Sequence, residues 1–206
     1  MRSYSDLKEW PIIRWLPWQK SGGYANREHT LKLSKRLPRH FFKTKRLTFR
    51  PLSPDDLSPL LEIVSKPDVI AYVDDGQPMD EELVSRWIEF SRRNVAIHGS
   101  GTGALILRSS GELIGWAGLS RPAMTPPEIV YGLDSPYWGM GFGQEIANAL
   151  VKWCKTDLGM TEIHASVYSE NTGSIRILEN LKFRYMDDQI NDDGSVSRLY
   201  VRRGPL

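Results

Sequence analysis

Gly139, Gly141 and Gly143 recur at alternate positions in the run Trp138-Gly139-Met140-Gly141-Phe142-Gly143-Gln144, and this spacing is the strongest chemical signal in the chain. Ahead of it stands Glu128-Ile129-Val130-Tyr131-Gly132-Leu133, a short apolar, β-branched run bounded by Pro126, Pro127 and Pro136, which predicts a strand. Behind it Ile146, Ala149, Leu150, Trp153 and Cys154 recur at the spacing of an amphipathic helix. Strand, glycine turn and helix in that order make an anion cradle. The first amides of a helix have no internal partners, the helix dipole adds partial positive charge, and glycines let the backbone approach a phosphate closely. Two known cradles do not fit. A nucleotide-binding P-loop needs Lys after its last glycine, where this chain has Gln144. A dinucleotide fingerprint needs a third glycine where Gln144 again stands. A turn that merely joins strand to helix is the plainer alternative.

The elements around this unit are legible in outline. Residues 46–52 alternate as a strand, after which Ser53 and Pro54 form an N-cap and first position for a helix. Residues 79–97 carry Leu83, Trp87, Ile88, Phe90 and Ser91 along a second helix. Residues 103–108 and 112–119 predict two strands joined by Ser109-Ser110-Gly111, a hairpin turn. Residues 161–168 predict a strand followed by a helix, and the chain closes on strands around Met186 and 196–202, joined by Asn191-Asp192-Asp193-Gly194. The proline-rich loop 120–127 carries no obvious chemistry.

Composition bounds the classes. The chain has 206 residues, 40% hydrophobic and 25% charged, which is ordinary for a globular protein. Cys154 is the single cysteine, so no internal disulfide forms; its place on the helix stripe marks it as core. No apolar run reaches the roughly 20 residues that span a bilayer, and no secretory leader pattern opens the chain. A cytoplasmic protein without a membrane partner is therefore expected. His29, His40, His98 and His164 show no ligand spacing, so no metal is expected. The net charge of +2 conceals an asymmetry: residues 1–46 hold 12 Lys/Arg against 3 Asp/Glu, whereas residues 47–206 hold 15 against 22. Residues 1–45 interleave Trp10, Trp15, Trp18, Tyr24, Phe41 and Phe42 with these cations. Such an arm suits packing on its own acidic domain or on a second subunit, with nucleic acid as the alternative partner.

Together with its flanks, PYWGMGFGQE resembles the acyl-CoA loop of the GNAT N-acetyltransferases, written [R/Q]xxGx[G/A], in its RimJ/RimL-like branch, where Trp takes the first position. RLTFRPL followed by SPDD is similar to the start of those domains, GELIGWAGL to their central hairpin, and SENTGSIRILENLKF to their second signature, ENxxSxxxLEKLGF, with Lys182 replacing the usual glycine. The resemblance covers residues 44–203 or so. It implies a mixed α/β GNAT fold: a mostly antiparallel central sheet of six or seven strands with one splayed parallel pair, flanked by helices. It divides the chain into a basic, Trp-rich extension over residues 1–43 and a catalytic domain over 44–206.

The resemblance further implies transfer of the acetyl group of acetyl-CoA to a primary amine, either a protein N-terminus or a small molecule. The backbone of Trp138, Gly139, Met140, Gly141, Phe142, Gly143 and Gln144 would hold the pyrophosphate. Leu133 and Asn171 would meet the pantetheine arm, and Arg176 would reach the 3′-phosphate unless it is simply an exposed helical residue. Glu128 matches the stretch carrying the base in related histone acetyltransferases; the alternative is an exposed strand-edge charge. Many GNATs protonate the departing thiolate with a Tyr, at a position where this chain has Leu178. Ser174 is the substitute suggested by RimL-like enzymes, or else a polar contact to pantetheine. A homodimer is common in the family. The missing Tyr also leaves open an inert acyl-CoA-binding domain that acts as a sensor or adaptor.

Overall fold

Alternating apolar residues commit much of this chain to a single sheet. The computed structural model describes residues 37–73, 76–120, 126–191 and 193–204. Eight strands run in the order β1-β2-β3-β4-β5-β6-β8-β7, with β1 Phe42–Lys43, β2 Leu47–Pro51, β3 Thr102–Leu107, β4 Leu113–Ser120, β5 Glu128–Leu133, β6 Glu162–Tyr168, β7 Arg184–Ile190 and β8 Val196–Arg203. Among the described residues five helices flank it: α1 Leu57–Val64, α2 Pro67–Ile70, α3 Glu81–His98, α4 Phe142–Thr156 and α5 Thr172–Asn180. All strand pairs are antiparallel except β5 and β6, which are parallel and meet in register only at Glu128 and His164. Beyond that rung the two strands part, so the expected splayed pair is present.

The eighth strand is the departure from the expected six or seven. Phe42 pairs with Phe49, and the Phe41 amide donates to the Phe49 carbonyl at 2.8 Å. Phe41, Phe42 and Phe49 stack around Trp153 of α4, with ring centroids 4.7 to 5.9 Å apart. Aromatics that suggested a separate arm therefore cover the domain's own core. The expectations placed on Trp10, Trp15 and Trp18, on most of loop 120–127 and on Asp192 lie outside the described residues.

Each face of the sheet buries its own core. On one face α4 and α5 lay Ile146, Leu150, Cys154, Ile175 and Leu178 against Leu47, Phe49, Ile129 and Ile163. On the other, α1 to α3 enclose Leu60, Val84, Trp87 and Ile88 over Leu52, Ala104 and Trp116. A register shift in the β3–β4 ladder, with Leu105 opposite Gly115 and Ile106 opposite Leu113, leaves Ile114 as an extra residue. The bulge sends Ile114 and Trp116 into opposite cores.

Local chemistry sets the helix ends. Ser53 caps as expected, but it opens a single 3₁₀ turn, Pro54–Asp56, through a capping box with Asp56, before α1 begins. The Asp80 carboxylate accepts from the Leu83 amide at 2.8 Å and starts α3 two residues later than the apolar pattern suggested. After α5, the Lys182 amide donates to the Glu179 carbonyl and the Phe183 amide to the Leu178 carbonyl. This is a Schellman turn, and Lys182 sits in it at φ 62.

Candidate active site

The opening between β5 and β6 is where the sequence-predicted residues converge. A cleft of about 520 Å³ lies between the glycine loop and the start of α5. Leu133, Trp138, Gly139, Gly141, Phe142, Gly143, Gln144, Asn171 and Ser174 all line it. A cleft of this size suits a small-molecule ligand. A narrower cavity of about 80 Å³ continues into the splay, where Tyr131, Ser166, Tyr168, Asn171, Ser174 and Leu178 line it. Tyr131, Asn171, Ser174 and Tyr72 belong to both spaces, so the two meet at these residues.

The glycine loop has the cradle geometry. Gly139 and Gly141 adopt φ 71 and φ 77, conformations that side chains with a Cβ resist. Gly141 is the N-cap of α4 and has no side chain with which to satisfy the helix's first amides. The first intrahelical bond runs from the Glu145 amide to the Gly141 carbonyl, so the Phe142, Gly143 and Gln144 amides precede the ladder. Gly143 serves a different purpose: a Cβ there would stand 2.9 Å from Ile177 Cδ1, so its absence lets α4 and α5 close together. The residues present therefore fit a pyrophosphate. Met140 points outward, 55% exposed, and is not among the cleft-lining residues.

A clamp that the sequence reading missed fixes this loop. Arg46 of the β1–β2 turn donates through Nε to Glu145 Oε2 at 2.6 Å and through Nη1 to the Met140 carbonyl at 2.8 Å. Its guanidinium also covers the Phe142 ring at 3.9 Å. Glu145 takes further hydrogen bonds from the Arg46 amide at 2.9 Å and the Thr44 hydroxyl at 2.5 Å. These bonds hold the Glu145 carboxyl below its usual range against a desolvation that would raise it. On the other side, the Trp138 indole donates to the Leu133 carbonyl at 2.8 Å and ties the loop to the end of β5. That carbonyl is thereby engaged. Lys66 bridges both Asp134 oxygens at 2.8 Å, which fastens the α1–α2 junction beside the same strand end.

Glu128 is neither exposed nor at a sheet edge. It is 4% accessible and heads the central strand β5, beside the rung where β5 and β6 separate. The Ser166 hydroxyl donates to Glu128 Oε2 at 3.0 Å, and the Ser166 amide also bonds the carboxylate. Burial outweighs these bonds and pushes the Glu128 carboxyl up to about 7. Ser166, not Glu128, lines the cavity itself. Alternation along β6 puts Ser166 and Tyr168 on one face and the core residues Ile163, Ala165 and Val167 on the other.

Asn171 caps α5, with its side-chain carbonyl accepting from the Ser174 amide at 3.0 Å, which leaves its NH₂ group for a ligand carbonyl. Ser174 stands within the first turn, at the junction of cleft and cavity. Arg176 is exposed on the same helix and is not among the cleft-lining residues. His164 is buried and bonded to Glu162 at 2.6 Å; burial lowers its pKa. Among the described residues no group of three or more His, Cys, Asp and Glu is placed to hold a metal, and no helix is long and apolar enough to cross a membrane.

This architecture has known relatives. The model of the acetyltransferase (GNAT) domain family matches residues 46–184. An uncharacterised N-acetyltransferase, p20, of Bacillus licheniformis is 29% identical over 144 residues, covering 68% of this chain and 80% of the relative. An acetyltransferase structure from Agrobacterium tumefaciens superposes with a TM-score of 0.70 at 23% identity, over 87% of this chain and all of its own. RimL, a ribosomal L7/L12 alpha-N-protein acetyltransferase solved in complex with coenzyme A, superposes with a TM-score of 0.69 at 15% identity, over 80% of this chain and 97% of its own. With the family model spanning both the glycine loop and the α5 signature, the chain belongs to the GNAT family and is an acetyl-CoA-dependent acetyltransferase.

Proposed function

We propose that this acetyltransferase belongs to the RimJ/RimL-like branch and acetylates a primary amine, of a protein N-terminus or a small molecule, with Glu128 as the base. The observation that carries the reading is a buried carboxyl, raised to about 7, at the mouth of the splay and bonded to a serine that lines the inner cavity. A base with a pKa near the working pH serves proton transfer best. An amine of pKa near 10 arrives protonated. Ser166 relays its proton to Glu128, and the neutral amine attacks the thioester. The amides of Phe142, Gly143 and Gln144 hold the pyrophosphate, Asn171 meets the pantetheine arm, and Ser174 contacts the sulfur end. Arg176 is retained as a contact for the 3′-phosphate only if its side chain folds over the cleft. The basic segment, expected over residues 1–43, gives way to the catalytic domain at Phe41 rather than at residue 44, because Phe41 and Phe42 join its sheet and core; the cytoplasm is the compartment that fits a protein with one free thiol.

Thiol release from acetyl-CoA across a panel of amines, with calorimetry of coenzyme A binding, tests the reading. Release with at least one amine class supports it. Micromolar coenzyme binding without release from any amine would favour the sensor or adaptor reading instead, which Leu178 in place of a tyrosine acid allows.

A further inference from the structure

Tyr131 is one more strand-forming residue in the sequence, yet it stands where the cleft and the inner cavity meet. It stands on β5, lines both the cleft and the inner cavity, and shares each of them with Ser174. The hydroxyl is buried, with Ser174 as its polar neighbour, and no hydrogen bond of good geometry satisfies it. A buried donor left unmet costs stability, and proteins keep such groups where a ligand completes them. Across the cavity, α5 presents Leu178, an apolar residue that has no proton to give.

The geometry points to Tyr131 as the catalytic acid of this site, its O–H meeting the sulfur that leaves when the acetyl group is transferred. This rests on the acetyl-transfer reading above. The amine nitrogen forms its bond to the thioester carbon, and the C–S bond then breaks with its electron pair going to sulfur. The Tyr131 proton passes to that sulfur, giving the free thiol of coenzyme A. The phenolate regains a proton from the nitrogen, which sheds its extra one as it becomes an amide, by way of the Ser174 hydroxyl. The first amine proton, taken by Glu128, leaves to water. No oxidant or further reactant is needed. Burial pushes the phenol up to about 12, so it keeps its proton throughout the neutral range. The plainer role, a tyrosine that only fills space between β5 and α5, makes different predictions.

The full-length protein and its Tyr131→Phe variant separate them. Hydroxylamine is the acceptor, since it is a nucleophile already unprotonated at neutral pH, and released thiol is the readout. The variant keeps the ring and loses only the O–H. Its turnover is expected to fall about 10²-fold or more, with unchanged acetyl-CoA affinity by calorimetry and an equal or higher Tm. The loss should be the same from about pH 6 to about pH 9, because the phenol does not titrate there. Turnover equal to wild type overturns the assignment, and so does a loss accompanied by weaker coenzyme binding or a lower Tm, which marks a packing role. If wild type binds acetyl-CoA but releases no thiol above buffer with hydroxylamine or any amine, the acetyl-transfer reading falls along with this one. A loss confined to the variant's Kd leaves acetyl transfer standing and removes Tyr131 alone.

Discussion

A carboxyl taken out of water and bonded only through Ser166 holds its proton more tightly than one in solvent. The same carboxyl therefore changes state close to neutrality, and activity should report it. With an ordinary amine acceptor, kcat/KM of the wild type is expected to rise with pH through about 7 as Glu128 ionises. Glu128→Gln should lower kcat by about 10² or more with little change in acetyl-CoA affinity. That loss should shrink toward high pH, where more of the amine is already neutral, and equal rates for both proteins across pH would remove Glu128 from the mechanism. The residue type and its place at the strand head were legible in the sequence. Its burial was not, because burial depends on β4 and β6 on either side and on where β5 and β6 part. Tyr131 was hidden for a related reason: strand periodicity assigns a tyrosine to a face, and only the splay makes that face the place where two cavities meet.

Element boundaries were clearest where punctuation is strong. Pro126, Pro127 and Pro136 bracket β5, whose observed limits are those the sequence suggested. The glycine turn and α4 followed the same logic, although Gly143 proved to be helix packing rather than turn. Contacts distant in sequence were not legible. Nothing in the local pattern of Thr44 and Arg46 announces a partner 99 or more residues away, yet they fasten the loop through Glu145. Arg46→Ala removes that salt bridge, the bond to the Met140 carbonyl and the cover over Phe142. Acetyl-CoA affinity is expected to fall about tenfold, equivalent to ~1.4 kcal/mol, with only a small drop in Tm because the pair is partly exposed. Unchanged affinity by calorimetry would show that the loop holds its shape without the clamp. Lys182 is the converse case, a departure from the family pattern that the sequence made visible. It occupies the left-handed position of the Schellman turn at φ 62, where glycine pays no Cβ penalty. Lys182→Gly should raise stability by about 1 kcal/mol in urea unfolding, and a loss of stability would mean that the lysine side chain contributes more than its backbone strain costs.

At the scale of the whole molecule, groups in the same sheet pull the pH dependence of stability in opposite directions. Glu145 and Glu162 have folded pKa values held down by their bonds to Thr44 and Arg46 and to Arg203. Their stabilisation is present above 4.5 and is lost as pH falls through the lowered values. His164, held neutral by burial, behaves similarly one step higher: the unfolded chain binds its proton first, so stability drains away as pH falls below 6.5. Glu128 has the reverse sign. Its folded pKa is raised from 4.5 to about 7, so the folded chain keeps a proton that the unfolded chain gives up, and stability declines as pH rises through that window. A shift of that size corresponds to about 3 kcal/mol once the carboxylate is fully ionised in both states. Below 6.5 the His164 and Glu128 slopes have opposite signs, so each masks part of the other in the wild-type Tm. Glu128→Gln leaves the histidine slope alone. The difference in Tm between variant and wild type should therefore widen in the variant's favour by several degrees from about pH 5 to about pH 8. Subtracting the two curves cancels His164, Glu145 and Glu162 and isolates the one buried acid. A difference that stays constant with pH would mean that Glu128 is ionised in the folded protein at pH 5 already, and so is no base poised near neutrality.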